Sequence, residues 1–544
     1  MPDSIPISKS IEEFIRVVER QSSQSSKRKS HTLEQKEETD QIAFWYEKIR
    51  IAIDYREEHL LRRTASRRIL KRLFLLEGRR REVADVLLRE LIMGGYVKKS
   101  ELSEEKFIQI DKALNKYAYV FIKSYQRSFL AHLDMKGLDL RRFFLSIASF
   151  EVEEILYPSY ERRALINSMY EILAPRINTV QFRISEKQKN LQTYIAIYRS
   201  LARADRAMVV SEVFRIYFPG WFNNPSQEEI DLIMKDSDEI IESVRKQAKN
   251  ALASRIFYAI KKQTLFAHIL YEIAMENPRD IEGIVKQDYL LSEFVKEKME
   301  EEYKRVKEKL GRRLRRGLIY IFITKMLIAL LIEVPFEKYF LGKIHYTALG
   351  VNVLLPPVFM AFLASSARLP KEQNTQAVIE GVQNLVYDNP KIDEIGRINV
   401  IPQSYSKISE KILGLIYLLI FGATFGAVIW LLVYLDFNIL SAAIFLVFMG
   451  TVSFFGALIR QTVRDLVVIK EKEGLISLFF DTMLLPFVRF GRWLSTNFSR
   501  VNVFIFLLDV LIEAPFKMVV RLFQSWIDFL KRKREEVDQQ FEWD

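Results

Sequence analysis

From about Gln41 to Glu276, apolar residues recur at spacings of three and four with charged residues between them, a pattern that predicts amphipathic helices. The breaks fall at turn formers: Gly94-Gly95, Tyr157-Pro158 and Pro219-Gly220. Few stretches alternate as strands do. Ser226 followed by Glu229 predicts a capping box, in which hydroxyl and carboxylate each satisfy a backbone N–H at a helix start, and one helix from there to about residue 250. After Pro278, Leu291, Val295, Met299, Tyr303, Val306, Leu310 and Leu314 make one apolar stripe suited to coiled-coil packing. Glu301 with Arg305 and Glu308 with Arg312 add pairs at i,i+4, so the segment reads as a rigid stalk.

Beyond Gly317 the pattern changes. Four nearly uncharged stretches, about Gly317 to Pro335, Ile344 to Ala364, Ile412 to Leu435 and Phe437 to Ile459, are each long enough to cross a bilayer once. Between Lys304 and Arg316 there are eight Lys or Arg against one Glu, which predicts a cytoplasmic start for the first span. Phe336, Tyr339, Phe340 and Tyr346 suit the opposite interface. Residues 367 to 410 then form a cytoplasmic loop with an amphipathic helix marked by Val378, Ile379, Val382, Leu385 and Val386, lying on the membrane or docked on the soluble domain. Spans three and four turn tightly at Asp436, and Arg460, Arg464, Lys470 and Lys472 follow on the cytoplasmic side.

Leu475 to Leu530 is ambiguous because its two apolar segments carry charge. Asp481, Arg489 and Arg492 lie in the first; in the second, Asp509, Glu513, Lys517 and Arg521 recur every four residues, one charged line on an apolar helix. A membrane hairpin and two interfacial helices fit equally, and both leave the basic tail cytoplasmic. The fold class is therefore all-α: residues 1–40 as a short helix and disordered arm, 41–276 as a cytoplasmic helical domain, 277–316 as the stalk, 317–460 as a four-span membrane domain, and 461–544 as a connector, marginal hairpin and tail.

Charge refines this picture. The net charge of +12 suits nucleic acid or anionic lipid, and its concentration beside the apolar spans favours the bilayer. Arg62, Arg63, Arg67, Arg68, Lys71 and Arg72, with Arg79, Arg80 and Arg81, give a basic amphipathic helix that could bind anionic headgroups or RNA, or be solvated and paired to acidic neighbours. Stacking aromatics of the RNA-binding kind are not interleaved with it. The first ten residues lack the apolar core of a secretory signal, so the expectation is a cytoplasmic N-terminal domain on a multi-pass protein of the cell (inner) membrane.

Candidate chemistry is sparse. The absence of cysteine removes thiolate catalysis and cysteine-ligated metal, and the five histidines show no ligand spacing, so neither metal nor cofactor is expected. Nucleotide-binding glycine patterns and a nucleophile elbow are missing, and Ser404-x-x-Lys407 carries little weight because Ser26-x-x-Lys29 repeats it in the arm. Leu331-Ile332-Glu333-Val334-Pro335-Phe336 recurs as Leu511-Ile512-Glu513-Ala514-Pro515-Phe516. The proline frees a carbonyl beside the carboxylate, which could hold a cation or proton; the plainer alternative puts each glutamate at an interface with proline starting the next helix. Leu354-Leu355-Pro356-Pro357 follows the first glutamate motif whereas Leu484-Leu485-Pro486-Phe487 precedes the second, an order that argues against a simple inverted repeat. Lys325 and Asn352 could complete a polar cluster with Glu333, although a lysine near a helix end more often reaches for the headgroups. Gly422-x-x-x-Gly426 in span three, with Ser453 and Ala457 in span four, predicts close helix packing within the bundle or between copies.

These features point to a non-enzymatic, membrane-anchored scaffold or regulatory protein whose cytoplasmic domain binds a protein partner, with homo-oligomerisation through the spans. The competing expectation is an ion or small-solute transporter or channel using Glu333, Asp481, Asp509 and Glu513.

Overall fold

The computed structural model describes residues 6–25, 57–78, 81–131, 134–179, 182, 184–365, 370, 372–387, 398–400, 407–464, 466–469 and 475–498. The arm after Ser25, Arg79 and Arg80, and the whole segment from 499 onward with Asp509 and Glu513 lie outside them. The described residues are overwhelmingly helical, so the chain is all-α. It divides into two compact units, Met1–Glu300 with Glu372–Gln403, and Glu301–Lys371 with Ser404–Asp544.

The first unit contains α1 (Lys9–Ser25), α2 (Glu58–Lys71), α3 (Val83–Met93), α4 (Glu104–Ala131), α5 (Asp134–Leu156), α6 (Tyr160–Leu173), α7 (Glu186–Leu201) and α8 (Arg206–Tyr217). It continues with α9 (Gln227–Lys235), α10 (Ser237–Ala248), α11 (Ala251–Ala259), α12 (Lys261–Glu276), α13 (Ile281–Lys286) and the start of α14 (Asp288–Ile328). α1 runs on to Ser25, into the segment read as arm. The capping box forms: Ser226 N donates to Glu229 Oε2 at 2.7 Å, and Glu229 N donates to Ser226 Oγ at 3.2 Å. The single helix expected to follow is two, broken at Asp236, because Ser237 turns its hydroxyl back to the Met234 carbonyl at 2.9 Å, a local bond that competes with the helix ladder.

Apolar side chains from α2, α4, α5 and α8 fill the interior, and a buried polar knot crosses it. Lys116 Nζ donates to both Glu151 oxygens at 2.8 Å and to the Trp221 carbonyl at 2.7 Å, while Tyr117 donates to Glu151 Oε2 at 2.5 Å and accepts from Trp221 Nε1 at 3.1 Å. Each charged atom has a partner, which is what makes such burial tolerable. Burial pushes the Lys116 ammonium down and the Tyr117 phenol up from their ordinary pKa values.

The segment after the second apolar stretch belongs to this unit. Its helix α16 (Glu372–Val386) packs on α12, burying Val378, Val382 and Val386, with Gly381 directly against the Phe266 ring. Ser8 N donates to the Val386 carbonyl at 2.8 Å, and Tyr387 Oη donates to the Val285 carbonyl at 2.9 Å. A two-residue strand β2 (Ile398–Asn399) pairs in parallel with β1 (Ile177–Asn178).

The second unit holds the remainder of α14, then α15 (Tyr346–Ser365), α17 (Lys407–Tyr434), α18 (Ile439–Arg464) and α19 (Leu475–Phe498). α14 is unbroken for 41 residues, so the stalk and the start of the first apolar stretch are one helix. Among the described residues, four helices are long and apolar enough to cross a membrane: α14 with its extension to Leu341, α15 from Tyr346 to Leu363, α17 from Lys411, and α18. α17 and α18 are joined at Asp436, which takes a left-handed backbone (φ 57°). Apolar side chains remain outward: only 6 % of the α17 window is covered, against 39 % of that of α18. α19 lies along α18 and against α17, and its continuation is outside the described residues.

Candidate functional site

The basic helix α2 does not offer the continuous cationic surface that its sequence allows. Arg62 binds Glu153 at 2.9 Å and lies over the Tyr157 ring at 3.9 Å; Arg63 is buried against Asp205; Arg72 bridges Glu90 and, at 3.0 Å, Glu77. Arg68 is half-buried, and of the described members of the basic set Arg67, Lys71 and Arg81 are exposed. In each of Arg62, Arg63 and Arg72 the guanidinium pairs with a carboxylate of the same unit.

Chemistry instead gathers inside the second unit. Ile321, Lys325, Ala329, Glu333 and Glu337 are all buried, one residue in four along the first apolar stretch. In an α-helix a step of four residues drifts by about 40° around the axis, so such a row would rotate out of the bundle. Two π segments, Ala329–Glu333 and Glu337–Leu341, flank Val334–Phe336. Their i→i+5 bonding fits more residues into each turn and brings the row back. Pro335 lies in the first turn of the short α-helical piece Val334–Phe336 between the two π segments, and Glu333 beside it is 0 % exposed within the protein.

Lys325 Nζ donates to Glu333 Oε1 at 2.7 Å and lies 5.1 Å from the centre of the Phe448 ring. Its side chain is fully buried, so it does not reach for the headgroups, the commoner habit of a lysine near a helix end. Asn352 Nδ2 donates to Glu333 Oε2 at 2.7 Å and approaches the Ser441 carbonyl at 3.5 Å; Asn352 Oδ1 has no hydrogen-bond partner among the described residues. Ser441 N donates to Asn438 Oδ1 at 2.8 Å, and Asn438 Nδ2 donates to Glu337 Oε1 at 2.7 Å. Glu337 Oε2 accepts from His345 N at 2.9 Å. The result is a polar line from Lys325 through Glu333, Asn352, Ser441, Asn438 and Glu337 to His345. Asn438, Ser441, Glu337 and Phe448 were missed in the sequence; the one available signal was that Glu337 follows Glu333 by four residues.

The line ends at Lys325. On its other side lies an apolar cluster of Ile321, Met360, Leu363 and Val452, onto which Leu314, Leu318, Phe448, Phe455 and Leu484 pack. At the polar end are exposed aromatics, Tyr339, Phe340, Tyr346 and, on the α17 end beside Asp436, Trp430 and Tyr434. Asp481 does not join the line; it pairs with Arg460 and, at 3.7 Å, with Arg464.

The small residues divide otherwise than expected. A Cβ built on Gly422 or Gly426 meets nothing within 4 Å, because Thr424 and Phe425 are the residues that face α19, where Thr424 Oγ1 lies 3.6 Å from Met483 Sδ and the Phe425 ring 4.8 Å from that of Phe487. This glycine pair therefore packs no helix within the described chain. Gly491 lies directly on the Gly450 carbonyl, and Gly456 lies on Leu363. Ser453 is buried and bonds its own helix at the Met449 carbonyl (2.7 Å), and Ala457 is half-buried.

No family model, no curated protein and no solved structure matches this chain.

Proposed function

We propose that this chain is a membrane-anchored scaffold or regulatory binding protein without enzymatic activity, multi-pass in the cell (inner) membrane, with its first unit and C-terminus cytoplasmic. The observation that carries the reading is the incorporation of Glu372–Gln403, the chain between the second and third apolar helices, into the first unit. The first unit is consequently joined to the apolar helices at three places, after residues 300, 371 and 403. A passive tether needs only one. Anionic headgroups beside the Lys304–Arg316 run and a protein partner on the first unit are the expected ligands.

The test is cross-linked purification of the full chain from its native membrane. The same partner should be recovered with the wild type and with Glu333→Gln, and be lost on deleting residues 41–310. Equal recovery after that deletion would sink the scaffold reading.

Ion or small-solute transport is the second reading, favoured by the polar line from His345 to Lys325. The apolar cluster beyond Lys325 stands against it, since a path would have to open through Met360, Leu363 and Val452. The cysteine-free chain permits a direct decision: single cysteines at positions 333, 352 and 481, probed with a membrane-impermeant thiol reagent. Protection at 333 and 352 supports the scaffold; labelling there that a particular ion or solute blocks supports transport.

A further inference from the structure

We propose that Arg312, Arg315 and Arg316 of α14 form a binding site for the phosphate of an anionic phospholipid, an inference that rests on the membrane reading above. The argument begins with helix geometry. At about 100° per residue, Val306, Leu310, Leu314 and Ile321 fall on one side of α14, and Arg312, Arg315 and Arg316 fall on the other. The apolar side is anchored: Leu314 and Leu318 pack on the cluster of Met360, Leu363 and Val452, and Gly317 lies against Met360 and Phe455. Anchoring one side holds the arginine side outward, where all three residues are exposed.

Among the described residues, the charge of these three arginines is little neutralised. Arg312 reaches Glu308 at 3.4 Å with both side chains 53 % exposed, a weak pair; Arg315 and Arg316 have no ion pair or hydrogen bond among the described side chains. On α18, Arg460 lies five residues past Phe455, about 7.5 Å along the axis, so it belongs to the same end of the unit. Arg460 and Arg464 both pair with Asp481. The opposite end carries Glu337, Asp436 and the exposed aromatics.

The position selects the ligand. Arg316 is adjacent to the start of the apolar stretch, which is the depth of the phosphodiester layer. A guanidinium matches two phosphate oxygens with parallel donors, which a lysine ammonium cannot do. In a zwitterionic lipid the choline or ethanolamine offsets the phosphate charge, so three such guanidiniums favour a headgroup of net negative charge. Each cation near an anionic surface is worth about fivefold in affinity.

The experiment is native mass spectrometry of the full chain in detergent, titrated with phosphatidylglycerol, phosphatidylcholine or inorganic phosphate. Phosphatidylglycerol should bind more tightly than phosphatidylcholine, with the preference falling roughly fivefold for each Arg→Gln change and about a hundredfold for all three. Arg→Lys should recover only part, and Lys338→Gln with Lys343→Gln, at the aromatic end, should change nothing. If the triple variant shows no thermal transition, the single variants Arg315→Gln and Arg316→Gln carry the test. Equal binding of the two lipids, an unchanged preference in the Gln variants, or displacement by equimolar inorganic phosphate would overturn the lipid site. A chain that stays monodisperse without detergent would instead overturn the membrane reading beneath it.

Discussion

The pairing of Lys325 with Glu333 buries a lysine amine and a glutamate carboxyl group completely, each side chain 0 % exposed. Such a pair stabilises only while both partners are present; removing one leaves a buried charge and costs about 3–5 kcal/mol. Glu333→Gln and Lys325→Met should each lower the unfolding temperature in detergent, and the double variant should be less destabilised than the sum of the two. A simple sum would mean that the groups do not act as a pair. A different pressure acts on His59 in the first unit, whose Nε2 is buried without a hydrogen-bond partner among the described residues. Burial, and then Arg162, push it down to about 4. The unfolded chain titrates near 6.5, so it takes up the proton first as pH falls. Stability should be flat above about pH 6.5, fall between there and pH 4, and level off below; because the ring is half-exposed, the loss is about 2 kcal/mol and not the full linkage value. His59→Phe should remove that slope from denaturant titrations, and a slope that survived would assign it to another group.

At the scale of elements, small residues show how far spacing can be trusted. Gly422-x-x-x-Gly426 has the familiar pattern, yet both positions are open, while the close crossing of α18 and α19 is made by Gly450 and Gly491, which share no motif. A side chain at Gly491 would have to displace the α18 backbone, so Gly491→Leu should cost about 3 kcal/mol in detergent unfolding. Gly422→Leu and Gly426→Leu should leave monomer stability within about 0.5 kcal/mol. If a second copy docks on this bare face, they should also reduce the dimer captured by cross-linking in membranes; stability losses equal to that of Gly491→Leu would contradict the open placement of the pair. Legibility varied in the same way among helices. The stalk stripe and the capping box were readable because each depends on residues within a turn or two. The break at Asp236 and the π segments were not, because each resolves a conflict between ladder hydrogen bonding and which side chains must face inward.

Across the whole molecule, the decisive feature is the interleaving of Glu372–Gln403 with helices that precede it by about a hundred residues or more. A side chain at Gly381 would run into the Phe266 ring, so Gly381→Leu should loosen α16 from α12 and speed proteolysis between residues 372 and 403. Unchanged cleavage would show that α16 is held by its ends alone, through the Val386 carbonyl and the β1–β2 pair. The sequence by itself determined the helical class, the four stretches able to cross a membrane, the basic run before the first and the presence of an amphipathic helix after the second, since periodicity, length and local charge are properties of neighbouring residues. Only the tertiary structure decided that Lys325 turns inward to Glu333, that Arg62 and Arg63 of α2 pair with Glu153 and Asp205, and that Glu372–Gln403 belongs to the first unit. Each of these depends on residues far apart in the chain, whose meeting is set by packing and by the need to pair every buried charge, and no local pattern encodes it.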